Sequence, residues 1–336
     1  MSPSHRRPRR HSRLILAVCA GFALVALSVG GWLVGSGPDG DLAAVADARP
    51  APSSGTASAR PRVSLGPKQA GAGASRSPHA SATHGATHSV SSKKGAALNP
   101  FGAIRSSLAD SGVSWYYDWD ASPQGISAPP GVHFVPMIWG TKSMNDETLA
   151  AVKQRGDTLL GFNEPDFESQ SNMSPSEALD LWPRLEATGM RLGSPAPAFG
   201  AADDGSWFDQ FMKGAKSRGY RVDFIALHWY GGDFETENAV EQLQRYLQRT
   251  WDRWHKPIWL TEYALINFGN GAEVASPEQQ SAFVTASTKM MDGLSFVERY
   301  SWFKFSPPKE GGQAGTTLYN EDGSRTTMGD AYRAAG

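Results

Sequence analysis

The sequence predicts an α/β fold, a closed (β/α)8 TIM barrel, preceded by one N-terminal apolar helix and a disordered linker. Three observations lead there. Residues 97–336 number 240, close to the ~250 of a single such barrel. Short apolar or aromatic runs recur through them at roughly 20–35-residue intervals with amphipathic stretches between. Strand alternating with helix eight times reads as a parallel barrel. An open doubly wound sheet is the alternative, but no glycine-rich phosphate loop follows the first strand.

The N-terminal part is a different kind of chain. Residues 1–96 hold 12 of the 32 Lys+Arg and 3 of the 33 Asp+Glu, a local balance of +9, which leaves −10 for residues 97–336. His5-Arg6-Arg7-Pro8-Arg9-Arg10-His11-Ser12-Arg13 precedes an uncharged run, Leu14 to Val34. As a helix that run reaches about 31 Å, enough to cross a hydrocarbon core of roughly 30 Å. Arginines on its N-terminal side favour leaving that end in the cytoplasm and exporting the rest. Residues 1–35 therefore read as a signal-anchor or a cleavable signal segment, Ala46-Asp47-Ala48 offering a small-x-small cleavage pattern. Residues 36–92 are rich in Ala, Ser, Gly, Pro and His and hold no aromatic residue. They cannot bury enough apolar area to offset chain entropy, and a disordered linker is expected. Their histidines His79, His84 and His88 are irregularly spaced, and no metal is assigned to them. Cys19, the only cysteine, lies in the apolar run, so the exported part holds no disulfide.

Residues 93–336 form the expected barrel domain, and a monomer is expected. Its strands are read at Gly95–Leu98, Ser114–Trp119, His133–Trp139, Thr158–Asn163, Arg191–Pro195, Phe224–Tyr230, Ile258–Glu262 and Arg299–Phe305. Among the helices between them, one opens at Ser174-Pro175-Ser176-Glu177, a capping pattern with proline at the first helical position. It keeps Ala178, Leu181, Trp182 and Leu185 on one face. Glu237 to Trp254 carries Val240, Leu243, Leu247, Trp251 and Trp254 at three- and four-residue spacing, a core-facing stripe. Ser276-Pro277-Glu278-Gln279 repeats the cap before a helix ending near Met291. Asn320-Glu321-Asp322-Gly323 is a hairpin turn.

Chemistry in such a barrel belongs at the C-terminal strand ends. The fourth strand ends in Asn163-Glu164-Pro165-Asp166, the sixth in His228-Trp229-Tyr230, the seventh in Thr261-Glu262-Tyr263 and the eighth at Trp302. Two glutamates thus close two strands of one barrel. Paired carboxylates are what glycoside hydrolysis uses, one protonating the leaving oxygen and the other attacking the anomeric carbon. A single glutamate at a strand end is more often a solvated loop residue; the pair, with Asn163 before one member, is the signal. Tyr117, Trp119, Trp139 and Trp229 end other strands and fit either sugar platforms or packing under loops.

These stretches, with Ser114–Trp119, Phe134–Gly140 and Asp223–Tyr230, resemble glycoside hydrolase family 128, whose catalytic domain is described as Asl1-like, over about Lys93 to Tyr332. The resemblance implies a retaining, endo-acting β-1,3-glucan hydrolase. It implies Glu164 as general acid/base, Glu262 as nucleophile, Asn163 on the sugar 2-hydroxyl and His228 and Tyr230 beside the nucleophile. Trp302 would lie under the sugar being cleaved. No metal or cofactor is implied.

Serine-hydrolase, zinc-peptidase and nucleotide-binding motifs are missing from the sequence, and the acidic domain offers no footprint for nucleic acid. A polysaccharide, and a membrane if residues 14–34 stay attached, are the expected partners. A non-catalytic glucan-binding or envelope-sensing barrel, and a hydrolase or transglycosylase of another β-linked glycan, are the alternatives.

Overall fold

The computed structural model describes residues 91–308 and 315–336. The expectations for residues 1–35 and for nearly all of 36–92 lie outside them. Among the described residues no helix is long and apolar enough to cross a membrane.

The elements follow in order: β1 (Lys94–Ala97), α1 (Ile104–Ser111), β2 (Trp115–Tyr117), β3 (His133–Phe134), α2 (Asp146–Val152), β4 (Thr158–Leu159), α3 (Pro175–Glu186), β5 (Arg191–Leu192), α4 (Trp207–Arg218), β6 (Ile225–Tyr230), α5 (Thr236–Trp254), β7 (Ile258–Ala264), β8 (Ile266–Asn267), β9 (Glu273–Val274), α6 (Pro277–Gly293), β10 (Val297–Trp302) and α7 (Thr327–Ala334). Eight of the strands are parallel and form the barrel. Six pair in the order β3-β2-β1-β10-β7-β6, and β4 pairs with β5. Parallel bridges Met137–Leu160 and Gly193–Phe224 join β4 and β5 to the rest of the ring. All eight expected strands are present. The antiparallel hairpin β8–β9 was not expected; it is too short for a periodic signal.

Side chains alternate across the barrel wall. Trp115, Tyr117, Phe224, Ala226 and Trp259 pack together inside the ring. Tyr116, Ile225, Leu227, Leu260 and Tyr263 face outward against the helices. Gly95 makes room for the inner layer, since a Cβ there would stand 2.1 Å from the Trp115 ring. Near the base, the Arg299 guanidinium sits 4.2 Å over Trp259. Glu298 accepts from Trp259 Nε1 at 2.9 Å and from Arg191 at 2.7 Å.

Local signals act as the sequence implies. Ser174 Oγ accepts from Glu177 N at 3.1 Å to start α3, and Ser276 and Gln279 form a reciprocal capping box on α6. Ala178, Trp182 and Leu185 are buried on α3, with Leu181 half-buried. On α5 the fully buried positions are Ala239, Leu243, Leu247 and Thr250, while Val240, Trp251 and Trp254 flank them half-buried. The turn at residues 320–323 is closed by Gly323 N donating to Asn320 O at 2.9 Å.

Candidate active site

Two irregularities in the barrel wall aim the site. The first follows β4. Gly161 lets this segment approach the next closely: a Cβ there would stand 2.8 Å from Ser194 O. Asn163 N then donates to Trp139 O at 2.9 Å and Glu164 N to Ala196 O at 2.8 Å. Held on both sides, Glu164 adopts φ 38°, a left-handed conformation that costs a non-glycine residue of order 1–3 kcal/mol. Its side chain is largely buried at the barrel mouth.

The second irregularity lies between β6 and β7. Leu227 pairs with Leu260, but the next pair is His228 with Glu262, so Thr261 is skipped. A bulge re-aims the side chains beyond it. Trp259 points inward and Leu260 outward, so plain alternation would send Glu262 outward. With Thr261 skipped, Glu262 points inward and Tyr263 joins the outer layer. The bulge is pinned. Thr261 Oγ1 donates to Leu227 O at 3.1 Å, and Thr261 O accepts from Tyr117 at 3.0 Å and from Ser301 at 2.5 Å.

Glu262 is the best-served carboxylate of the site. Its Oε1 accepts from Trp119 Nε1 at 2.7 Å and lies 3.3 Å from the Tyr117 hydroxyl. Its Oε2 accepts from the Tyr230 hydroxyl. His228 lies between the two glutamates, Nδ1 2.8 Å from Glu164 Oε1 and Nε2 3.4 Å from Glu262 Oε1. Burial raises the Glu262 pKa, His228 opposes that rise, the Glu164 charge adds to it, and the Tyr230 and Trp119 donors again oppose it. Burial works to lower the His228 pKa, but the charges of Glu262 and Glu164, with the hydrogen bond to Glu164, raise it overall. Burial beside Glu262 also holds the Tyr117 and Tyr230 hydroxyls well above their usual range, so both stay protonated donors.

One ligand atom from each of Glu164, His228 and Glu262 lies within 4.8 Å of the others. The same three could reach a divalent cation. The indole N–H on Oε1 and the Tyr230 hydroxyl on Oε2 already serve Glu262 as hydrogen-bond donors, the environment of a carboxylate held for its charge. Asn163 is 2% exposed. Its Nδ2 donates to Gln170 Oε1 at 3.2 Å, while its Oδ1 is buried with no partner among the described residues.

The structure brings together Glu164, Glu262, Asn163, His228, Tyr230, Tyr117 and Trp119. Tyr117 is fully buried and Trp119 nearly so. Trp119 directs its indole N–H to Glu262, the Tyr117 hydroxyl donates to Thr261 O and lies 3.3 Å from Glu262 Oε1, and both rings are packed among neighbours. Trp139 is half-buried against the inner cluster. Trp302 is a correction. It is fully buried in the outer layer, edge-on to Tyr263 at 5.0 Å, with Nε1 donating to Thr316 O at 2.7 Å. Ser301 and Phe303 are the inward residues there. Phe303 packs edge-on to Trp119 at 6.0 Å and to Tyr230 at 5.6 Å. Adjacent aromatics at a strand end gave no sequence signal of which faces inward, and a one-residue change of face decides it. Trp229 likewise faces the helices, stacked on Phe283 at 5.6 Å.

Exposed rings flank the mouth. Phe268 meets Tyr230 edge-on at 5.3 Å, and Phe167 meets Phe199 at 6.2 Å, beside an open depression of about 410 Å³ lined by Asp166, Phe167, Glu168 and Ser169.

Comparison with known proteins is consistent with this geometry. Residues 95–332 match the family model described as "Glycosyl hydrolase catalytic core". Alkali-sensitive linkage protein 1 of Schizosaccharomyces pombe is 31% identical over 257 residues, 73% of this chain and 45% of that protein. The chain thus spans less than half the length of that curated relative. A GH128 subgroup I endo-β-1,3-glucanase from Amycolatopsis mediterranei, solved with laminaritriose, is 52% identical with TM-score 0.70, over 73% of this chain and 100% of that one. A subgroup II endo-β-1,3-glucanase from Sorangium cellulosum is 29% identical with TM-score 0.61, over 73% and 98%. A subgroup III curdlan-specific exo-β-1,3-glucanase from Blastomyces gilchristii is 28% identical with TM-score 0.58, over 72% and 97%.

Proposed function

The chain belongs to the glycosyl hydrolase catalytic core family, within glycoside hydrolase family 128, and from that we propose that it is a retaining, endo-acting β-1,3-glucan hydrolase. The observation that carries the mechanism is the approach of the two carboxylates, with oxygens within 4.8 Å of each other. Retaining enzymes hold their carboxyl groups about 5–5.5 Å apart, and inverting enzymes about 6.5–9.5 Å, to admit a water.

Glu262 is assigned as nucleophile and Glu164 as acid/base. A Glu262 oxygen forms a bond to the anomeric carbon as the glycosidic C–O bond breaks, and the Glu164 proton passes to the departing oxygen. Glu164, now a carboxylate, takes a proton from water, whose oxygen attacks the anomeric carbon and releases Glu262. Burial and the Glu164 charge leave the Glu262 pKa raised, and His228 with the donors on both oxygens limits that rise, favouring the carboxylate. The unpartnered Asn163 Oδ1 supports an acceptor role toward the sugar 2-hydroxyl, a bond that strengthens in the oxocarbenium-like transition state. His228 and Tyr230 fix the carboxylates, and the half-buried Trp139 is a platform for a neighbouring sugar. Two carboxylates supply this chemistry without a metal or cofactor.

The arginine-flanked apolar run supports an extracytoplasmic site of action, with the chain attached through residues 14–34 or released by cleavage. The test is release of reducing sugar from laminarin. Wild type releases it and Glu262→Ala does not; an active Glu262→Ala overturns the assignment.

A further inference from the structure

We infer that Trp119 is a positioning residue whose indole N–H fixes Oε1 of Glu262, leaving Oε2 to meet the anomeric carbon. This rests on the hydrolase reading above and assigns within it a role for a side chain that its sequence position offers equally as a sugar platform or as packing.

The geometry favours the N–H over the ring face. Nε1 lies 2.7 Å from Glu262 Oε1, in the range of a charge-assisted hydrogen bond. The ring is enclosed, tilted against Tyr117 at 5.1 Å on one side and meeting Phe303 edge-on at 6.0 Å on another. Only 7% of the residue is exposed, so no face is open for a sugar to stack on. The backbone is bent to allow this: Trp119 has φ 59°, an uncommon conformation for a bulky side chain. Asp118 and Asp120 brace the bend, Asp118 Oδ1 accepting from Asp120 N at 3.2 Å.

The two oxygens of Glu262 are unequally held. Oε1 faces Trp119, Tyr117 and His228, whereas Oε2 faces the Tyr230 hydroxyl. The less encumbered oxygen is the better placed to form the new bond. A donor on Oε1 is strongest to the carboxylate and weakest to the glycosyl ester. It therefore favours the ionised form of Glu262 before attack and stabilises the charge that returns when the glycosyl-enzyme is hydrolysed.

The experiment is Trp119→Phe in the full chain, which keeps an aromatic ring between Tyr117 and Phe303 and removes the donor. The titratable groups facing Glu262 are His228 and Tyr230 from β6, Tyr117 from β2 and Glu164 beyond β4, and all are retained. The expected result is a roughly 10- to 100-fold fall in kcat with KM for laminarin within about twofold. The acid limb of kcat/KM moves up by about one pH unit. A raised KM with kcat kept, the signature of a sugar platform, overturns the inference, as does an unmoved acid limb. If Trp119→Phe does not fold, indole 15N–1H NMR of the folded protein serves instead. One indole N–H resonance should lie well downfield and move back in Glu262→Gln; no such change overturns the inference. Glu262→Ala is run alongside: an active Glu262→Ala strikes the hydrolase reading, whereas an inactive one with an unaffected Trp119→Phe strikes only the role of Trp119.

Discussion

The imidazole Nδ1 of His228 lies 2.8 Å from Oε1 of Glu164, and its other nitrogen faces Glu262. One buried ring therefore links the carboxylates that close two different strands. Its pKa is raised above the usual 6.5 because the charges beside it outweigh its burial. A raised histidine contributes stability that is complete below the unfolded value and is lost as pH rises through the folded one. The melting temperature of wild type should therefore exceed that of His228→Gln by most below pH 6.5. The gap should narrow as pH rises through the folded value. A gap that widens with pH contradicts this assignment of charge.

The spacing of the carboxylates predicts retention of configuration. Proton NMR of the first product released from a β-1,3-glucan should show the β-anomer before mutarotation. An α-anomer would place a water between the glutamates and refute the roles given to them.

Glu164→Ala should lose roughly 10²- to 10⁴-fold in kcat on laminarin, the usual worth of a general acid. It should lose far less on an aryl glucoside whose leaving group needs no proton. Equal losses on both substrates would remove Glu164 from that role.

Trp302 and Phe303 separate stability from binding. Trp302 fills the outer core and donates to Thr316 O, so Trp302→Ala should cost about 3–5 kcal/mol of unfolding free energy, with KM little changed where the variant is folded. Phe303→Ala, at the mouth beside Trp119 and Tyr230, should raise KM or lower kcat with a smaller change in stability. Denaturant unfolding together with steady-state kinetics checks both.

Asp118 is buried with Oδ2 lacking a partner among the described residues, and burial pushes its carboxyl up to about 8. Here the folded value exceeds the unfolded one, so the folded state binds the proton more tightly and stability falls as pH rises from about 4 toward 8. Asp118→Asn should melt higher than wild type at pH 8, with the advantage disappearing near pH 4. No pH dependence in that difference would mean the carboxyl is not neutral when buried.

The eight strands, their order, the helix caps and the glutamate pair are all legible in the sequence, because each is a local pattern. A strand announces itself by composition, Ser174 and Ser276 by the residues three places on, and a barrel gathers its strand ends at one mouth whatever the loops do. The sequence also determined that residues 1–96 and 97–336 are chemically unlike. Which way a side chain faces was decided by tertiary structure. Glu262 points inward only because the β6–β7 ladder skips Thr261, and that skip is held by Tyr117, Ser301 and Leu227, residues on three other strands. Trp302 faces the outer core and Phe303 the mouth for the same kind of reason, a matter of one residue of alternation. Trp119 becomes a donor to Glu262, and its ring is closed off beyond its neighbour Tyr117, because Glu262 and Phe303 arrive from elsewhere in the chain. Period and composition fix what an element is; its facing is settled only when its neighbours supply hydrogen bonds and fill the space around it.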